Sequence, residues 1–134
     1  MATKWLRLAP ALLFAIASPL AAHPKTSGAV AKQVSTAAAH AGMALGAADL
    51  KMAHAHLQHV VNCLVGPSGA GYDAQQEDPC KGMGQGAMVD AKGDSARESQ
   101  LQAALMQAQQ GVKATTVDEA HADAKRAMDT LQAH

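Results

Sequence analysis

The feature that most constrains this chain is an internal repeat. At an offset of 67, Val34 matches Leu101, Ala37 matches Ala104, Ala41 matches Ala108, Leu45 matches Val112 and Leu50 matches Val117. Ala53-His54-Ala55 coincides with Ala120-His121-Ala122, and Leu64 lands on Leu131. Within each copy the apolar residues recur three, four or seven positions apart, the spacing of an α-helix with one buried face. Two copies of one helical hairpin predict an all-α chain, an antiparallel four-helix bundle with short turns inside each hairpin. The expected helices span about 28–45, 49–64, 96–110 and 117–133.

Capping residues support these boundaries. Asp49 can accept from free amides at the start of the second helix. Ser95-Ala96-Arg97-Glu98 and Thr116-Val117-Asp118-Glu119 both read as capping boxes. Between the hairpins, residues 66–94 carry seven glycines together with Pro67 and Pro79, which predicts a long irregular loop.

The first 22 residues read as a secretory signal: basic Lys4 and Arg7, an apolar run from Leu8 to Ile16, and small residues through Ala22. That run is far shorter than the ~20 residues of a membrane span, so export and release into the periplasm are expected, leaving 23–134 as one helical domain. Trp5 and Phe14 would leave with the signal, making Tyr72 the sole aromatic residue. Without Lys4 and Arg7, the eleven acidic residues outnumber the basic ones by two. Neither charge nor stacking surface is then available for nucleic acid or an anionic membrane. An exported chain with two cysteines predicts a Cys63–Cys80 disulfide that tethers the loop. Thiolate ligation with Met83 or Met88 is the alternative.

The histidines carry the chemistry. Asp49 to Leu64 reads DLKMAHAHLQHVVNCL, with Leu50, Leu57, Val61 and Leu64 on one helical face and Met52, His56, His59 and Cys63 on the other. His56 and His59 are spaced to chelate one ion, and the Met52 thioether beside them biases the choice toward copper. Hairpin symmetry predicts a second grouping, because His40 and His54 are equidistant from Ala47, as Gln107 and His121 are from Ala114. A layer of His40, His54, His121 and Gln107 could hold copper, zinc or nickel. The alternative is histidines at the core boundary bonded to backbone or water. His23, as a new N-terminus, offers a further copper chelate.

Enzymatic inventories are missing: there is no HExxH, no phosphate loop and no CxxCH, and an alanine-lined interior is a poor haem pocket. The stretches AAAHAGMALGAADLKMAHAHLQH and VDEAHADAKRAM resemble the small histidine-rich metal-binding proteins of the bacterial periplasm. The resemblance implies sequestration or buffering of Cu²⁺ and similar divalent ions, carried here by His40, His54, His56, His59 and His121; delivery is a further reading of the clustered histidines in an exported chain. It departs in having fewer histidines per helix and a long disulfide-bearing insertion. The competing reading is a metal-free exported module that presents Tyr72, Met83 and Met88 of the 66–94 loop to a protein partner.

Overall fold

The computed structural model describes residues 26–133, so the expected signal at 1–22, His23 and His134 lie outside it. The described residues form five helices and no strand: α1 (Thr26–Leu45), α2 (Leu50–Val65), α3 (Ala87–Asp90), α4 (Ser95–Val112) and α5 (Val117–Gln132). The offset of the repeat reproduces the helix boundaries. Both ends of α2 map onto the two ends of α5, and the end of α1 maps onto that of α4.

Four-residue connections, 46–49 and 113–116, leave each hairpin's helices no choice but to pack side by side in opposite directions. The long helices then touch in the cyclic order α1, α2, α4, α5, and α2 also meets α5. The interior is built from alanine. Ala37, Ala41, Ala44, Ala53, Ala104, Ala108, Ala120, Ala124 and Ala127 are fully buried around Leu57, Leu64 and Leu101. Small side chains let backbones approach closely, so a chain poor in large apolar residues still excludes water.

Helix starts follow the capping logic with one shift. Asp49 accepts from the Met52 amide at 2.8 Å, and Thr116 with Glu119 forms a complete capping box. At α4 the N-cap is Asp94 rather than Ser95: its carboxylate accepts from the Arg97 amide at 3.0 Å, while Glu98 reaches back to the Gly93 amide at 2.7 Å. A carboxylate one residue earlier outcompetes the serine hydroxyl for the free amides.

The loop between hairpins is fixed rather than loose. Cys63 and Cys80 are joined by the expected disulfide. Buried Gln33 of α1 accepts from the Gly86 amide at 3.0 Å and donates to Asp90 at 2.8 Å. Fully buried Asn62 donates to the Asp73 and Glu77 carbonyls, both at 3.0 Å, and accepts from the Asp73 amide at 2.9 Å. Gly66, at φ 70°, ends α2 where the loop returns, and a Cβ there would lie 1.9 Å from the Gln85 carbonyl oxygen. The single-turn α3 lies within this supposedly irregular stretch. One turn is too short to show a period, and only the burial of Ala87 and Ala91 marks it. Tyr72, Met83 and Met88, the residues a docked partner was expected to meet, pack against the core.

Candidate metal centre

His40 projects from α1 and His56 and His59 from α2, and their rings meet where the two helices face each other. The Nδ1 atom of His40 lies 3.4 Å from Nδ1 of His56 and 3.2 Å from Nδ1 of His59. Ring centroids stand 5.1 to 5.5 Å apart. One nitrogen from each ring falls within 4.8 Å of the other two, so the set can hold a metal ion. Nitrogens bound tetrahedrally at about 2.0–2.1 Å would be about 3.3 Å apart, close to the two observed Nδ1 separations.

Chemistry explains why such an arrangement suits a cation. Two ring nitrogens at hydrogen-bond distance need one proton between them, and here three nitrogens converge on a shared space. If Nδ1 of His40 carries the proton, the other two present lone pairs to it; a cation in its place would receive all three. Burial holds the His40 ring below its ordinary value of 6.5, helped by charge on His59 and His56 and partly offset by Glu77. Burial likewise lowers His59, helped by His56 and opposed by Glu77. His59 is only 8% exposed, on a buried run from Val60 to Val65. Both shifts favour the neutral, metal-competent imidazole.

The layer expected from hairpin symmetry does not form. His54 Nε2 donates to the carbonyl of Ala114 at 2.9 Å, and His121 Nε2 donates to the carbonyl of Ala47, also at 2.9 Å. A carbonyl only accepts, so both rings carry the proton on Nε2. Neither ring converges with other ligand groups among the described residues, so His54 and His121 are corrected from metal ligands to clasps, each satisfying an orphan carbonyl beyond the helix end of the opposite hairpin. His40 leaves that layer for His56 and His59, a merger of the two expected groupings.

The repeat counterparts of His40, His56 and His59 are Gln107, Asp123 and Arg126. There Arg126 pairs with the Asp123 carboxylate, and the buried Gln107 Oε1 has no hydrogen-bond partner among the described residues. One hairpin thus carries imidazoles where the other carries an internal ion pair. Met52 stands one turn before His56 on the same face of α2, half-exposed at 49% and without a hydrogen bond to the three rings among the described residues. A second convergence, Cys63, Asp78 and Cys80, offers no thiolate because the two sulfurs are bonded to each other.

Sequence reasoning left Glu77 aside although its charge acts on two of the three rings. Nothing local marks it: the loop has no period, and only the disulfide, together with Asn62 one turn beyond His59, brings that segment to the histidines. Compared with known proteins, the chain matches no family model, no curated protein and no solved structure.

Proposed function

We propose that this chain is an exported, periplasmic metal-binding protein on a four-helix-bundle scaffold, with His40, His56 and His59 as its ligands. Copper is the favoured ion, with zinc and nickel as alternatives, and the role is sequestration, buffering or delivery. The convergence of three Nδ1 atoms from two helices carries the reading. Imidazole suits all three metals, and the Met52 thioether on the same face adds a soft donor that favours copper. The Cys63–Cys80 disulfide fits an oxidising compartment. Among the described residues no helix is long and apolar enough to cross a membrane.

Titration of the purified, tag-free protein with Cu²⁺ near about pH 7.5, where unperturbed imidazole is neutral, tests the proposal. Binding well above that of free histidine is expected. His59→Ala should weaken it by about 100-fold, the upper range seen on losing even a supporting residue of a metal site. Binding no tighter than free histidine, or untouched by His59→Ala, rejects the proposal.

A further inference from the structure

Three neutral imidazoles bring no charge to a divalent ion and fill only three corners of a tetrahedron. Sites that merely hold a metal are usually closed by a fourth protein ligand, whereas a corner left to water marks a reactive site. The loop brings the backbone of one acidic residue, Glu77, to the turn of α2 that follows His59, although its carboxylate is not among the groups that converge with the three rings. Asn62 fixes the backbone at Asp73 and Glu77, and the disulfide fixes it again at Cys80, so Glu77 is held between two anchors that both spring from the turn of α2 following His59.

The neighbouring acids are occupied. Asp78 accepts from the Cys80 amide at 3.0 Å and the Tyr72 hydroxyl at 3.4 Å, and Asp73 accepts from the Gln75 amide at 2.8 Å. The Glu77 carboxylate makes no ion pair among the described residues and is exposed, free to turn. We propose that Glu77 is the fourth ligand of a divalent ion held by His40, His56 and His59, the tethered loop acting as the cover that closes the site. This rests on the metal-binding reading and deepens it. A carboxylate also neutralises half the charge of a divalent ion, which three imidazoles cannot do. Met52, on the helix rather than the loop, serves a monovalent ion better and is dispensable for a divalent one.

The test loads the purified protein with Zn²⁺ for affinity and with Co²⁺ for its visible spectrum, comparing Glu77→Gln, Met52→Leu and His59→Ala with the parent. Glu77→Gln should cost at least about 10-fold in Zn²⁺ affinity, the lower end of what losing a supporting residue costs. It should also make the Co²⁺ spectrum depend on pH near neutrality, because a water on the vacated corner titrates at about 7 when bound to a metal. The parent and Met52→Leu spectra should stay constant there. Parent-like affinity and spectrum in Glu77→Gln, with binding lost in His59→Ala, overturns the Glu77 assignment and leaves the triad standing. A parent protein that binds neither ion overturns both.

Discussion

His54 and His121 donate Nε2 to a turn carbonyl of the opposite hairpin, while His40, His56 and His59 turn Nδ1 toward one another. The difference is which partner lies within reach, since all five rings have the same chemistry. Replacing His54 or His121 by alanine should therefore cost about 1 kcal/mol of stability each, the net worth of one hydrogen bond, and leave metal affinity within about twofold. Denaturant midpoints and a metal titration on each variant check this. The lowered rings give a second expectation. In the unfolded chain His40 and His59 titrate near 6.5, and in the folded protein below it. As pH falls through 6.5 the unfolded chain takes up more protons, so the metal-free protein loses stability until the folded rings are protonated too. Urea midpoints followed from neutral to mildly acid pH should fall, and His40→Gln with His59→Gln should flatten the fall.

The helices test how far packing overrides propensity. Gly42 in α1 and Gly111 in α4 both sit inside continuous helices, where alanine is preferred to glycine by about 1 kcal/mol. A Cβ at Gly42 would meet only the Met128 sulfur at an ordinary 3.5 Å. At Gly111 it would lie 2.6 Å from a methyl of Leu57 and 2.9 Å from Cβ of Asp123. Gly42→Ala should stabilise by up to about 1 kcal/mol, whereas overpacking of about 1–3 kcal/mol should make Gly111→Ala destabilising. Opposite shifts in thermal midpoint would bear this out. Asp49→Ala, which strips the α2 cap, should cost about 1 kcal/mol.

At the scale of the molecule, the loop and the long helices stabilise each other. The disulfide spans a sequence separation of 17, for which the chain-entropy picture gives about 3 kcal/mol. Gln33 and Asn62 hold the loop independently, through bonds on either side of Cys80. Replacing both cysteines by alanine should lower stability by about 3 kcal/mol without melting the helices, and circular dichroism with thermal melting reads both effects. Metal affinity should fall as well, because the Glu77 segment loses one of its two anchors.

The helices were legible because their signals are local. Alanine and leucine period, Asp49 and Thr116 caps and the break at Gly46 each act within a few residues, and the repeat doubled the period and the caps, with Lys113 standing where Gly46 breaks the first hairpin. The disulfide followed from a count of two cysteines. The histidine grouping was only half legible: His56 and His59 share a face by helical period alone, but His40 belongs with them through the register of α1 against α2. Symmetry predicted His40 beside His54 because it counts residues from a turn, and it carries no information about how each helix is rotated about its axis. The sequence by itself determined which segments coil and which faces they bury. The tertiary structure decided which rings meet, which rings clasp carbonyls and where the loop lies, because those depend on helix rotation and on contacts between residues far apart in the chain.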